Sequence, residues 1–203
     1  FLDKIQSTLL KKGPNGESPI VICSLGDASV TEGEVSEAFQ FAALHQLPII
    51  YLVQDNNWGI SVTAAEARTA NAYEFIEGFK GISRISIDGT DFTKCYESMQ
   101  QVINEVRTNK KPFLVHATVP LLGHHTSGVR KDFYRSEEEL AEQYKNDPGP
   151  KLKQVLLQAG FTENELTRIE DETAEMVKED FDTAAASPEP DPSQVSQHVF
   201  ATT

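Results

Sequence analysis

Residues 19–59 read PIVICSLGDASVTEGEVSEAFQFAALHQLPIIYLVQDNNWG, and this stretch decides the fold. Its two apolar runs, residues 19–25 and 48–54, are rich in Ile and Val and bounded by turn formers, the pattern of buried parallel strands. Between them Thr31 and Glu34 form a capping-box pattern, and Val35, Ala38, Phe39 and Ala42 recur at helical spacing up to about His45. Strand, helix, strand brings Gly26-Asp27 and Asn56-Asn57 to one edge of one sheet, the edge at which open α/β sheets bind ligands. Asp27 offers a carboxylate and Asn56 a side-chain carbonyl. These are the hard oxygen donors that Mg²⁺ or Ca²⁺ takes, and substrate phosphates commonly complete a Mg²⁺ shell. The helix beginning beside Asp27 directs free N–H groups and the positive end of its dipole at the same place, which favours an anion. The residues therefore read as a divalent metal site built for a diphosphate. The plainer alternative is ordinary Asx-turn chemistry after two strands.

The rest of the chain continues the alternation. Strands are expected at residues 83–87 and 112–118, with a helix over 92–108 between them. Residues 136–182 read as two or three helices broken near Gly160. The predicted fold class is α/β, a parallel sheet with helices on both faces, followed by C-terminal helices. Three regions are expected: a diphosphate- and metal-binding α/β core over 1–135, C-terminal helices over 136–183 and an extended linker or arm over 184–203. The opening FLDKIQSTLLKK is amphipathic and lacks an initiator Met, and one strand alone precedes the Asp27 turn, so a core truncated on its N-terminal side is expected. No internal repeat is visible.

Composition bounds the function. A chain of 203 residues, 39% of them apolar, supports one sizeable core. A net charge of −13 argues against nucleic-acid and anionic-membrane partners, which need a basic patch. There is no run of 18 apolar residues and no signal-peptide pattern, and Cys23 and Cys95 suit a reducing, cytoplasmic setting. His124, His125, Thr126, Ser127, Gly128, Arg130 and Lys131 crowd one loop straight after a strand, which suggests a loop facing an anion. His45 near a helix end and His116 inside a strand read as structural, and His198 falls in the tail.

At these residues a family resemblance enters. The stretch GDASVTEGEVSEAFQFAALHQLPIIYLVQDNNWGIS resembles the thiamine diphosphate motif, GDG followed one helix and one strand later by NN, of the alpha part of the decarboxylating component of 2-oxo acid dehydrogenase complexes. LGHHTSGVRKDFYRSEEEL and DPGPKLKQVLLQAG resemble that family's later active-site loop and C-terminal helices. Setting QDNNWGIS against the family's usual QNNGWAIS puts Asn56, rather than Asn57, in the metal-ligand place beside Asp27, with the main-chain carbonyl of Trp58 as third donor. The resemblance implies cofactor contacts from Gly26, Asp27, Ala28, Ser29, Asn56 and His125, with Gln54 either touching the cofactor or packing behind it. His125 matches the family's active-site histidine. Three departures stand out: Ala28 replaces a Gly, DNN replaces NNG, and Ser-Gly-Val follows the histidines where the family has Ser-Asp-Asp or Ser-Asp-Pro.

The implied activity is thiamine diphosphate- and Mg²⁺-dependent oxidative decarboxylation of a 2-oxo acid, with transfer of the acyl group to the lipoyl arm of an acyltransferase component. The activating glutamate of that family lies on a beta-type pyrimidine-binding domain or subunit, so the isolated chain is expected to be inactive and the complete enzyme oligomeric. Two alternatives stay open: another thiamine diphosphate enzyme of transketolase type, and a non-catalytic binding or assembly module that keeps the fold.

Overall fold

The computed structural model describes residues 18–126 and 128–197. The helix expected at residues 1–12, together with Ser127 and His198, lies outside the described residues. Four parallel strands form the sheet: β1 (Val21–Gly26), β2 (Ile49–Asp55), β5 (Ser83–Asp88) and β6 (Phe113–Thr118), in the order β1-β2-β6-β5. β3 (Trp58–Gly59) and β4 (Val62–Thr63) make a small antiparallel hairpin just past β2.

The alternation along the central strands explains the layers. Tyr51 and Val53 of β2 and Leu114 of β6 point to one face, where they pack with Phe39 and Ala42 of α1 (Gly33–His45). Ala72 of the one-turn helix α3 (Ala72–Phe75) and the adjacent Ile76 join the same cluster; between β4 and α3 lies another one-turn helix, α2 (Ala64–Ala67). Ile50, Phe113 and Val115 point to the other face and pack on Val102 and Val106 of α4 (Phe92–Asn109). Helices thus cover both faces, and each cluster buries apolar surface from two layers.

This arrangement also locates the ligand crevice. β1 leads to its neighbour β2 through α1 on one face, while β5 leads to its neighbour β6 through α4 on the opposite face. The two connections diverge between β2 and β6. That divergence is a topological switch point, and the crevice outside the carboxyl ends there takes ligands in open α/β sheets. Asp55 and Thr118, the last residues of the two strands, are register partners at that point.

Two sequence expectations change. β1 is an edge strand, so Val21 and Ile22 are about half exposed rather than buried. Thr31 does not cap α1: it closes a preceding 3-10 turn (Ala28–Thr31) by donating its hydroxyl to the Ala28 carbonyl, and Glu32 takes the N-cap place without a side-chain bond. The N-terminus of α1 is therefore left without a side-chain cap, open to an anion. The expected break near Gly160 is present, with φ at +101° between α6 (Pro148–Gln158) and α7 (Glu163–Ala185). A further helix, α5 (Glu137–Lys145), opens the C-terminal group on a Ser136/Glu139 capping box. Among the described residues no helix is long and apolar enough to cross a membrane.

Candidate metal and diphosphate site

Asp27 leaves β1 at the base of the 3-10 turn with φ −61° and ψ −37°, and its side chain is almost fully buried. Ala28 continues the same right-handed turn, so a Cβ there meets no backbone strain. What receives that methyl is Gly59: a Cβ built on Gly59 would lie 2.9 Å from the Ala28 Cβ. The family pattern has Gly at the first of these places and Ala at the second, so one methyl has changed sides of a contact. The departure at Ala28 is matched by a further difference in the quoted motif, Gly59 in QDNNWGIS where QNNGWAIS has Ala.

Asp55 is the hub of the site. Its Oδ1 accepts the Asn57 N–H at 2.9 Å and Arg68 Nη2 at 3.0 Å, and its Oδ2 contacts His116 Nε2 at 2.9 Å. His116 Nδ1 lies 3.0 Å from the hydroxyl of Ser86, its register partner on β5. Both ring nitrogens of His116 are thus engaged, one with the Ser86 hydroxyl and the other with the Asp55 carboxylate. Burial pushes the Asp55 carboxyl up, but the hydrogen bonds from His116 and Asn57 and the charge of Arg68 outweigh it and hold it at about 2.

Asp27 is treated differently. Arg68 Nη1 stands 2.6 Å from its Oδ2, yet off the line of a hydrogen bond, so this buried oxygen has no directed donor. Burial raises the Asp27 carboxyl above the usual range; Arg68 opposes the rise and the nearby Asp55 charge adds to it. A single guanidinium thus spans two buried carboxylates, gripping one with aligned bonds and merely standing beside the other.

Asn56 follows β2 and turns its Oδ1 back to the Trp58 N–H at 3.1 Å, which leaves that oxygen a second lone pair. Asn57 takes φ +67°, a left-handed conformation that Asn tolerates better than most residues. The Trp58 ring is covered by the Arg135 guanidinium at 4.3 Å and lies 5.5 Å from the Tyr134 ring. The metal turn and the end of the 121–135 loop are therefore stacked together. Gln54 is exposed and accepts from the Ser24 hydroxyl at 3.2 Å, and Ser29 lies exposed in the 3-10 turn.

The donor chemistry fits Mg²⁺. Asp27, Asn56 and the Trp58 carbonyl are hard oxygens, and Asp27 Oδ2 is a buried acceptor without an aligned partner. The Arg68 guanidinium already stands at that oxygen, so fit depends on its leaving. His125 is exposed, and among the described residues no hydrogen bond or ion pair joins it to Asp27, Asn56 or Asp55. Its neighbour His124 accepts the Lys131 N–H at 3.3 Å. Lys131 itself is buried, its ammonium directed to the Leu121 and Leu122 carbonyls and lying over the Tyr144 ring at 4.7 Å.

Arg68 and Ser86 were not among the residues expected from sequence, and His116 is part of the charged network rather than a packing residue alone. A signal existed for one of them, since His116 is a polar residue in the largely apolar strand run FLVHAT, whereas Ser86 sits in SRISID among other polar residues. Arg68 gave none: it lies in AAEARTAN, which carries neither helical nor strand period.

The family described as dehydrogenase E1 component matches residues 7–193. The chain is 33% identical over 189 residues to the pyruvate dehydrogenase E1 component subunit alpha of Rickettsia felis, covering 92% of this chain and 57% of that protein. It is 30% identical over 186 residues to the 3-methyl-2-oxobutanoate dehydrogenase subunit alpha of Mycobacterium tuberculosis, covering 91% and 51%. A crystal structure of transketolase from Campylobacter jejuni aligns with 73% of this chain and 23% of its own, at 24% identity and a TM-score of 0.49. The chain spans about half the length of the curated relatives it matches.

Proposed function

The chain belongs to the dehydrogenase E1 component family, and on that premise we propose that it is the diphosphate-binding portion of a 2-oxo acid dehydrogenase, using thiamine diphosphate and Mg²⁺ for decarboxylation and passing the acyl group to a lipoyl-bearing partner. One observation carries the reading. Asp27 and Asn56 follow neighbouring strands at the ligand-binding edge of the sheet, beside an α1 N-terminus that no side chain caps.

In this reading Asp27, Asn56 and the Trp58 carbonyl hold Mg²⁺, and the free N–H groups of α1 orient the diphosphate, with Gly26, Ala28 and Ser29 lining the turn. When bound, thiamine diphosphate supplies the electron sink through which a 2-oxo acid loses CO₂. His125, on its exposed loop, moves a proton or steadies charge at the reacting centre once a partner closes over it. A beta-type pyrimidine-binding domain or subunit provides the other half of the enclosure, and the working enzyme is an oligomer. The family match sets the transketolase alternative aside. A non-catalytic module with the same fold keeps one observation in its favour, the Arg68 guanidinium standing on Asp27.

The test is CO₂ release from pyruvate and from 3-methyl-2-oxobutanoate, first by the chain alone and then with a beta-type partner. Activity is expected only with the partner, together with tight thiamine diphosphate binding in calorimetry. Within that assembly His125→Ala should lower turnover about 10²–10⁴-fold with little change in cofactor affinity. Robust turnover by the chain alone overturns the divided site, and absence of cofactor binding in the assembly favours the non-catalytic module.

A further inference from the structure

Two cavities meet at Arg68. One, of about 460 Å³, is lined by Asp55, Asn56 and His116; the other, of about 420 Å³, by Asp27, Thr31 and Phe75. Arg68 lines both, together with Ala65, Thr69 and Ala70. Two of the oxygen donors expected to share a metal, Asp27 and Asn56, line different spaces, and the one charged group common to both linings is a cation.

The two ends of that guanidinium are not equal. At Asp55 it makes aligned contacts of 3.0 and 3.2 Å within a carboxylate also held by His116 and the Asn57 N–H, whereas at Asp27 it stands close without alignment. The arm carrying it is lightly attached. From Asn57 to Arg68 no residue belongs to either core cluster, and the path runs through Asn57 at φ +67°, Ile60 at φ +59°, and α2, a single turn held by its own Thr63/Glu66 capping box. A β-branched residue at positive φ is a strained position, and moving such an arm breaks no core packing.

We infer that Arg68 is an internal cation occupying the metal's place at Asp27, and that a divalent ion enters by exchange, the guanidinium withdrawing onto Asp55. This rests on the proposed metal site. Charge then links metal and diphosphate. Asp27, Asp55 and Arg68 together carry −1, so a divalent ion entering alone leaves the buried group at +1, and the diphosphate removes that excess. Assembled with its partner, the wild-type chain is thus expected to take the metal more weakly without a diphosphate than with one, because the anion offsets the excess positive charge in a poorly screened site.

The experiment titrates Mn²⁺ into the chain assembled with its beta-type partner and reads free Mn²⁺ by electron paramagnetic resonance, with and without thiamine diphosphate. Arg68→Gln removes the competing cation and should bind Mn²⁺ alone at least tenfold more tightly than wild type. Arg68→Lys keeps the charge and a folded site but gives up the fork that spans two carboxylates; it should also bind Mn²⁺ alone more tightly, by a smaller factor. Asp55→Asn removes the alternative seat for Arg68 and should weaken Mn²⁺ binding. Circular dichroism establishes that each variant is folded. Folded Arg68 variants whose Mn²⁺ affinity equals wild type overturn the exchange while leaving the metal site standing. If neither wild type nor any folded variant binds Mn²⁺, even with thiamine diphosphate, the metal site and the exchange fall together.

Discussion

Arg68 and Arg135 are both buried guanidinium groups, one at the end of the sheet and one at the end of the 121–135 loop, and they are stabilised in opposite ways. Arg68 faces two carboxylates. Among the described residues Arg135 has no hydrogen-bond partner on any of its three nitrogens, and it rests on the face of Trp58. Burial accordingly pulls the Arg135 guanidinium below its usual range. An ion pair removed from water is costly to break from one side, because the survivor stays buried and charged. A buried cation held by an aromatic face has no such survivor, and its desolvation is only partly offset by the ring quadrupole. The strand-end network is thus part of what the chain folds around, whereas the loop end carries a cost that the fold elsewhere offsets.

The largest expected effect tests that contrast with one substitution made twice. Arg68→Met leaves Asp27 and Asp55 facing each other without their cation and should destabilise the chain by about 3–5 kcal/mol. Arg135→Met keeps the apolar stem over Trp58 and removes an unsatisfied charge, so stability should stay level or rise by up to about 2 kcal/mol. Urea unfolding followed by far-UV circular dichroism measures both. Equal losses in the two variants would mean that Arg135 has an acceptor this description lacks, and the contrast would be gone.

The same contrast shows what was legible in the sequence. The sheet was readable because its central strands are continuous apolar runs, and their ends placed Asp27 and Asn56 on one edge. The resemblance then supplied Trp58 and the register. Edge position was not readable, since the PIVICSL and PIIYLVQ runs look alike although, among the described residues, β1 has a neighbour on one side only. Capping at Thr31 failed because two bonding schemes compete locally for the same hydroxyl, and the 3-10 turn won. Arg68 was invisible for a different reason: the hairpin and single helical turns of residues 57–75 are held by caps and by an ion pair across the fold, and neither leaves a period.

A smaller effect concerns the wall of the site. Gly59→Ala would set two methyl carbons 2.9 Å apart, between a tight hairpin and a 3-10 turn, with no flexible side chain to yield. The loss should be about 1–3 kcal/mol. Ala28→Gly alone should cost about 0.5–1 kcal/mol through backbone freedom. The double variant restores the family's arrangement and should recover most of the Gly59→Ala loss, so the two effects will not add. Strict additivity in a thermodynamic cycle would show that the two departures are unrelated changes rather than one exchanged methyl.

The smallest expected effect separates the two asparagines of the turn. Asn57 sits at φ +67° with its side chain exposed, and its hydrogen bonds are made by the backbone, the N–H donating to Asp55 and the carbonyl accepting from the Ala64 N–H. Asn57→Ala should therefore cost about 1 kcal/mol of stability, the penalty of a Cβ in the left-handed region, and Asn57→Gly should cost nothing. Neither should change Mn²⁺ affinity in the presence of thiamine diphosphate. Asn56 differs because its amide oxygen faces the site: Asn56→Ala should reduce that affinity by more than the roughly 10–100-fold that outer-shell partners of a metal carry. Paired titrations of the two alanine variants decide between the residues, since the Asn56 reading requires a loss of affinity without a matching loss of stability and the Asn57 reading requires the reverse. Equal losses of affinity would move the ligand to Asn57 or share it between them, and the Trp58 carbonyl would then lose the place that register assigns to it.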